Sequence, residues 1–292
     1  SATNNKFNKS YLSLSQNILS SCNSQNCQCG EWAEYYGLIK WQWEKAQSIV
    51  EACTKPNNPL CLGVKGYCYV WGRGNVEIDY QRGISFCRDA EGSNIAHCIL
   101  ALGFLDGDFG LAHDPVKAQA MFLDDCLDRD HCYVQNSRAL YYESEGKKTI
   151  AFKLYQDSAK QGYCVSLYNI AVFYETREPT DLARAAHYYY EAAECGFPLA
   201  IFALGVAHQQ GAGVEQSPTE AFRYYHRAAD LGHTHAQYCT GFCFHHGYGT
   251  DVSIHEAKYY YQLAAHKDHD QAQKNLDTLQ VLENEPEEDE HH

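Results

Sequence analysis

The sequence predicts an all-α fold built from stacked antiparallel helix pairs. The first observation is an internal repeat, because the segment that begins at Ala200 recurs without a gap at Ala236, 36 residues later. The second observation is that apolar residues within each copy recur at intervals of three and four, which places them on one face of a helix. A repeat of this length is typical of two-helix units that stack, since a single unit cannot bury its apolar face alone.

The turns of the two copies agree as well as their helices. A Ser followed three residues later by Glu is typical of a capping box and predicts the start of the second helix in each unit. The Gly-x-Gly loops lack the preceding strand and the third glycine of a dinucleotide-binding motif, so they are interpreted as turns. Asp114 and Asp181 take the capping position in earlier units. The matching positions are Gly211 and Gly247, Gly213 and Gly249, Ser217 and Ser253, and Glu220 and Glu256.

Six such units are predicted between residues 61 and 271. A degenerate helical repeat is expected before them at residues 31–60, and a capping helix after them at residues 272–282. Residues 1–30 are interpreted as an N-terminal extension. Residues 1–10 lack the apolar segment of a secretory signal, so a signal is either absent or already removed. Residues 283–292 include six acids and are expected to form a disordered tail.

Composition narrows the range of partners. The formal net charge is −14, which argues against nucleic acid or an anionic membrane as the main partner. No run approaches 18 apolar residues, so no membrane-spanning helix is expected. The expected partner is a protein or peptide, and the composition does not predict an oligomeric state.

The chain contains 14 cysteines, and two interpretations stay open. Free Cys packs like a small apolar residue and can replace Ala where helices meet. Alternatively, some pairs form disulfides in an oxidising compartment, each joining the end of one helix to the start of the next. Disulfides would indicate a secreted or periplasmic protein, and thiols a cytoplasmic protein or one delivered into a host cell. The candidate pairs are Cys53 with Cys61, Cys87 with Cys98, and Cys126 with Cys132.

The repeat unit resembles the Sel-one-like repeat, a relative of the tetratricopeptide repeat. The resemblance covers roughly residues 61–276 and is closest in the units at Ala200 and Ala236. It implies a right-handed α-solenoid that serves as an adaptor for protein complexes, often in bacterial–host interaction or in quality control of membrane proteins. In the first of these units it rests on Ala200, Leu204, Gly205, Gly211, Gly213, Val214, Ala221, Tyr224, Tyr225, Ala228, Ala229 and Gly232.

In tetratricopeptide-like units the first helix lines the concave face, so the resemblance implies which of its positions point inward. Apolar and aromatic residues on an exposed concave face are the type that anchors a partner. We therefore expect a non-enzymatic scaffold that binds a protein or peptide there, unless the aromatic residues only contact one another. The expected contact residues are Tyr133, Asn136, Tyr168, Val172, Phe202, Val206, Gln209, Tyr238, Phe242, His245 and His246.

An enzyme is the alternative hypothesis. The spacing of Cys53 and Cys61 resembles the cysteine-rich branch of the family, in which a Cys pair joins the helices at each repeat junction. That branch implies a weak cell-wall-related hydrolase or penicillin-binding activity. The junctions before Ala200 and Ala236 carry no such pair, and no Ser-x-x-Lys motif stands in a suitable context. The sequence therefore assigns no catalytic residue and no cofactor.

A metal site is the third hypothesis. Cys239, Cys243 and His246 have the spacing of residues that share one helix face, and zinc takes ligands of these types. However, the two cysteines take the positions that Ala203 and Ala207 hold in the previous unit. Packing alone explains them, so no metal ligand is predicted.

Overall fold

The computed structural model describes residues 28–53, 55 and 57–284. Within these residues the chain forms fifteen α-helices and one π-helical turn, with no β-strand. The predicted fold class, an all-α solenoid of stacked helix pairs, is confirmed. Apart from residues 28–30 and 283–284, the predicted N-terminal extension and acidic tail lie outside the described residues.

The chain divides into two compact units, Ser1–Ser166 and Leu167–His292. The elements of the first unit are α1 (Cys29–Glu34), the π-helical turn (Tyr35–Ile39), α2 (Trp43–Glu51), α3 (Pro59–Trp71), α4 (Tyr80–Asp89), α5 (Asn94–Asp106), α6 (Pro115–Phe122), α7 (Cys132–Ser144) and α8 (Lys148–Lys160). Helix α3 packs on α4, α5 on α6 and α7 on α8, and the first helices α3, α5 and α7 also pack on one another in order.

Buried aromatic rings hold the first unit together. The ring of Trp43 stacks on Tyr67 with centroids 4.1 Å apart. Tyr67 contacts Tyr133 at 5.7 Å, and Tyr133 contacts Tyr163 at 6.0 Å. All four side chains are buried. Aromatic residues bury large areas and add favourable edge and face contacts, so this series of rings is a main source of the unit's stability.

The second unit contains the two copies that match most closely. Its helices pack in sequence from α10 through α15. The first three residues of α9 belong to the first unit and the remainder to the second. None of the helices in the described part of the chain is long and apolar enough to cross a membrane. The helices are α9 (Cys164–Thr176), α10 (Leu182–Glu194), α11 (Pro198–Gln210), α12 (Pro218–Asp230), α13 (Thr234–His246), α14 (Ile254–Ala265) and α15 (Asp270–Asn284).

The predicted N-caps are confirmed. Ser217 Oγ accepts the backbone N–H of Glu220 at 3.2 Å, and Ser253 repeats this bond at 3.3 Å. Asp114 and Asp181 cap α6 and α10 in the same way. The reciprocal half of the capping box is absent at Ser217, because the Ser217 N–H donates to a backbone carbonyl of α11. Side-chain caps satisfy backbone donors that a helix leaves unpaired at its first turn.

Small residues are required where a second-helix tyrosine lies against a first helix. A Cβ added at Gly205 would stand 2.5 Å from the ring of Tyr225, and one at Gly241 would stand 2.7 Å from the ring of Tyr261. Real side chains do not approach this closely. Glycine at these positions therefore sets the spacing of the two helices in each pair.

Candidate functional site

A groove of about 290 Å³ lies in the second unit. Helices α9, α10 and α11 supply most of its wall, and the residues around the start of α13 supply the rest. This volume is at the lower end of the range for small-molecule sites, about 300–1,000 Å³, and suits one or two side chains of a peptide. The larger side chains of its lining include Tyr168, Glu175, Tyr189, Leu199, Phe202, Val206, His233 and His235.

Three of the expected contact residues meet in this groove. Tyr168 on α9 and Phe202 and Val206 on α11 all line it, and all three are half-buried. The ring of Tyr168 contacts Tyr189 at 5.5 Å and Phe197 at 5.4 Å. These rings contact their neighbours and also border open space. That they anchor a partner stays a prediction.

The surroundings of these rings recur in the next helix pairs. In three sets, one aromatic residue of a first helix contacts a tyrosine of the following second helix and the ring that directly precedes the next first helix. Phe202 lies 4.6 Å from His233, and Tyr238 lies 4.6 Å from His269. The three sets are Tyr168 with Tyr189 and Phe197, Phe202 with Tyr225 and His233, and Tyr238 with Tyr261 and His269.

Two of the late histidines are helix caps. His233 Nδ1 accepts the N–H of Ala236 at 3.1 Å, and His269 Nδ1 accepts the N–H of Ala272 at 3.3 Å. Burial lowers the pKa of His233 to about 4, with smaller contributions from His235 and Lys267. His233 is therefore neutral at pH 7, with Nδ1 free of a proton and able to accept the bond.

A second recurring contact joins the two helices of a pair. The next-to-last residue of a first helix accepts a hydrogen bond from a tyrosine hydroxyl of the second helix. Burial and the neighbouring carboxylate raise the pKa of Tyr189, so its hydroxyl stays protonated and donates. The four contacts are Tyr155 to Glu143 at 2.7 Å, Tyr189 to Glu175 at 2.6 Å, Tyr225 to Gln209, and Tyr261 with His245 at 3.4 Å.

This second contact changes the interpretation of two expected residues. Gln209 and His245 were both expected to contact a partner. In the structure the side-chain oxygen of Gln209 is engaged by Tyr225, and Nδ1 of His245 faces the hydroxyl of Tyr261. Glu175 occupies the same position of α9 and lines the groove, although it was not among the residues expected from the sequence.

Like Gln209 and His245, four further expected residues lie outside the groove lining, namely Val172, Tyr238, Phe242 and His246. Tyr238 belongs to the last of the three ring sets. Phe242 is 38% exposed and lies 4.3 Å from His246 on the same helix. Val172 is half-buried on α9. The second unit therefore presents one groove at Phe202 and a separate exposed aromatic patch at Phe242 and His246.

The two expected residues of the first unit are buried, and the expectation that they face a partner is wrong for this structure. Tyr133 and Asn136 are each 3% exposed. Tyr133 is part of the aromatic series of the core, and the Oδ1 atom of Asn136 accepts a hydrogen bond from Ser166 Oγ at 2.8 Å. Both positions were assigned by analogy with the regular units, whereas the irregular helices α1 and α2 precede the regular pairs here.

Four cysteines of the predicted disulfide pairs are thiols in the structure. Cys87 packs against Gly66 on α3, whereas Cys98 lies near Arg138 on α7. Cys126 is exposed and Cys132 is buried. The 87–98 and 126–132 disulfides are therefore not formed here, and both remain predictions for an oxidising compartment.

The first predicted disulfide pair is Cys53 with Cys61. The Sγ atom of Cys53 donates to the carbonyl oxygen of Lys55 at 3.5 Å, and Cys61 is buried in the core of the first unit. The pairing of Cys53 with Cys61 stays a prediction. Its formation would remove the Cys53 thiol that makes this contact.

The third hypothesis from the sequence concerned a metal. Across the residues that the structure describes, no three His, Cys, Asp or Glu side chains are arranged to hold a metal ion. Burial raises the pKa of Cys239 to about 11 and that of Cys243 to about 12. Both thiols are thus held in their protonated form, which packs well in an apolar environment.

Comparison with known protein families identifies a repeat in this chain. The Sel1 repeat matches six segments that together cover more than half of the chain, and the last two coincide with the pairs α11–α12 and α13–α14. No curated protein matches the chain significantly. The matched segments are residues 62–88, 95–123, 145–163, 165–197, 198–233 and 234–269.

Two solved structures are similar to this chain. A Sel1 repeat protein from Oxalobacter formigenes is 24% identical with a TM-score of 0.56, and the match covers 82% of this chain and 99% of that one. The human IFIT1 dimer with PPP-AAAA is 15% identical with a TM-score of 0.54, and the match covers 94% of this chain and 69% of that one. At these identities the likeness concerns the fold alone.

Proposed function

This chain belongs to the Sel1 repeat family, and on that premise we propose that it is a non-enzymatic scaffold that binds a protein or peptide in the groove of its second unit. Repeats of this family commonly serve as protein-interaction scaffolds. The observation that supports the proposal most directly is the groove itself, in which apolar side chains border open space beside aromatic rings.

The groove has the character of a preformed anchor site. Leu199 on its rim is 39% exposed, and Val206 lies one helical turn beyond Phe202 on the same helix. The ring of Phe202 is held by Tyr225 at 5.6 Å and by His233 at 4.6 Å. Because these rings are fixed before a partner arrives, binding orders few side chains and more of the contact energy appears as affinity.

The enzyme alternative has weaker support. A nucleophilic cysteine needs a lowered pKa and a partly exposed thiol. Burial instead raises the pKa of Cys68, Cys87 and Cys98 to about 12. The Asp124 carboxylate, which accepts a hydrogen bond from the exposed thiol of Cys126, raises the pKa of that thiol as well. These cysteines are therefore poor nucleophiles near neutral pH.

A peptide selection tests the proposal. Short random peptides displayed on phage are selected on the immobilised chain, and the enriched peptides are then measured by fluorescence anisotropy. The change Leu199→Ala removes part of an exposed apolar rim and should weaken binding about tenfold, which corresponds to about 1.4 kcal/mol. Phe202→Ala should weaken binding at least as much.

Leu231→Ala is the matched control, because Leu231 is an exposed leucine outside the groove lining. It should leave affinity unchanged. Circular dichroism of each variant measures its helix content and so shows whether weaker binding results from loss of folding. If properly folded Leu199→Ala and Phe202→Ala variants bind the enriched peptides like the wild type, the groove is not the binding site and the proposal fails.

A further inference from the structure

We propose that the occupant of the groove is a basic peptide segment, which places a Lys or Arg side chain at Glu175 and an adjacent apolar side chain on Phe202 and Leu199. This inference rests on the proposed function and specifies the chemistry of the partner. It is carried by the charge of the groove, by the way the Glu175 carboxylate is held, and by the residues that take the same position in the neighbouring helix pairs.

Glu175 supplies the carboxylate of the groove lining, which also contains His233 and His235; Lys267 lies close enough to His233 to lower its pKa. The fifteen lining residues include no other carboxylate and no Lys or Arg. His233 is neutral at pH 7, since its environment lowers its pKa to about 4. The whole chain carries a formal charge of −14, which attracts a cationic partner from a distance. A cationic side chain therefore enters the groove without meeting another Lys or Arg in the lining.

The Glu175 carboxylate is held in position. The hydroxyl of Tyr189 donates to Glu175 Oε2 at 2.6 Å, and Tyr189 is itself buried in α10. A carboxylate accepts several hydrogen bonds, so this contact leaves acceptor capacity for a guanidinium or an ammonium group. The rings of Tyr168 and Tyr189 beside it also favour a cation over their faces.

The negative charge at this position is not a requirement of the repeat. In the second unit the same slot holds Glu175, then Gln209 and then His245, and a tyrosine hydroxyl meets each of them. The uncharged side chain of Gln209 accepts the hydrogen bond from Tyr225. The hydrogen bond between the two helices of a pair therefore does not need a carboxylate. Within the second unit, the carboxylate stands in the helix pair that borders the groove; in the first unit, Glu143 of α7 holds a carboxylate in the same slot.

Substitution of Glu175 by Gln provides a sharp test. Gln209 shows that an amide in this slot still accepts a tyrosine hydrogen bond, so Glu175→Gln removes the charge and keeps the contact. Phage-displayed random peptides are selected in parallel on the wild type, on Glu175→Gln and on Glu194→Gln. Glu194 is an exposed acid at the end of α10 outside the groove lining, so its variant has the same net charge.

The expected result has two parts. Lys and Arg are enriched beside an apolar residue in peptides selected on the wild type and on Glu194→Gln, and this enrichment is lost on Glu175→Gln. In fluorescence anisotropy, the best wild-type peptide binds Glu175→Gln about three- to fivefold more weakly, the effect of one partly exposed ion pair. A peptide with Gln in place of its basic residue binds both proteins alike.

The outcomes separate this inference from the function on which it rests. Peptides that depend on Phe202 and Leu199 but show no basic enrichment overturn the basic partner and leave the binding groove standing. Equal weakening by Glu175→Gln and Glu194→Gln also overturns it, because the attraction would then come from the net charge. A selection that yields no peptide dependent on Phe202 or Leu199 overturns the proposed function itself.

Discussion

The ring of Phe202 stacks on the imidazole of His233, with centroids 4.6 Å apart and planes inclined by 23°. The same imidazole accepts the backbone N–H of Ala236 through Nδ1 and so caps α13. One side chain therefore starts a helix and supports the wall of the groove. Protonation of His233 would therefore affect both the cap of α13 and the groove wall at Phe202.

We expect the free energy of unfolding to fall as the pH is lowered from about 6.5 to about 4. Burial, with help from His235 and Lys267, lowers the pKa of His233 to about 4 in the folded chain. In the unfolded chain a histidine titrates near 6.5, so between these values the unfolded state binds more protons. The contribution of neutral His233 to the free energy of unfolding is complete above pH 6.5 and is lost as the pH falls. Urea unfolding at a series of pH values measures this loss.

The control for the pH effect is a pair of substitutions. His233→Asn keeps a capping acceptor and removes the titrating ring, so stability should depend less on pH. His255→Asn removes a histidine whose side chain is 92% exposed and should keep the wild-type pH dependence. An unchanged pH dependence in His233→Asn would show that another group is responsible.

Gly205→Ala should lower the free energy of unfolding by about 1–3 kcal/mol, the usual effect of overpacking a close contact. The new methyl group would stand 2.5 Å from the ring of Tyr225 and must push the two helices apart. Urea unfolding measures the loss. Glu194→Ala, at an exposed helix end, should change stability by less than about 0.5 kcal/mol. A Gly205→Ala variant as stable as the wild type would mean that the helices separate without penalty.

Ser217→Ala should lower stability by about 1 kcal/mol, because Ser217 Oγ accepts the N–H of Glu220 at the start of α12. Ser217→Asp keeps an acceptor at the cap and should be close to the wild type. The backbone N–H of Ser217 donates to the His208 carbonyl and is kept in both variants. Thermal unfolding of the three proteins separates the cap from this backbone contact, and equal melting temperatures would contradict the role of the hydroxyl.

Cys126 should be alkylated by iodoacetamide before the buried thiols Cys87, Cys98 and Cys132. It is exposed, whereas burial raises the pKa of the other three to about 12. Mass spectrometry of the folded protein after short exposure identifies the first site labelled. An unlabelled Cys126 that reacts only after reduction would instead support the disulfide that the sequence suggested for it.

A second substitution tests why Cys126 is not more reactive. The Asp124 carboxylate beside its thiol is the main cause of its raised pKa, with a smaller effect from Asp125. Asp124→Asn should therefore speed alkylation of Cys126, because more thiolate is present at a given pH. Asp125→Asn removes the same charge and should have a smaller effect. Equal rates in the two variants would contradict the specific hydrogen bond.

Local rules predicted the architecture well. The spacing of Ala200 and Ala236 fixed the period, and the caps at Ser217 and Ser253 follow from side-chain chemistry within four residues. The small residue at Gly205 follows from the same repeat. Each of these features depends on residues that are near in sequence or on the adjacent repeat. A single sequence contains this information, so these features could be predicted from it.

The groove was predicted only in part. Tyr168, Phe202 and Val206 were selected from their position on the first helices. Glu175 and His233 were missed, because their convergence depends on how three helices cross. A usable signal was present, since His131, His233 and His269 each stand directly before the first residue of a helix.

The shared slot of Glu143, Glu175, Gln209 and His245 separates what a helix pair needs from what it recognises. The tyrosine hydroxyl is satisfied by a carboxylate, an amide or an imidazole, so the packing of each pair tolerates an exchange of charge at one position. A single substitution at this slot can therefore change the local charge while the hydrogen bond between the helices is kept. The same property makes the slot a natural point for engineering, where specificity is rewritten one helix pair at a time.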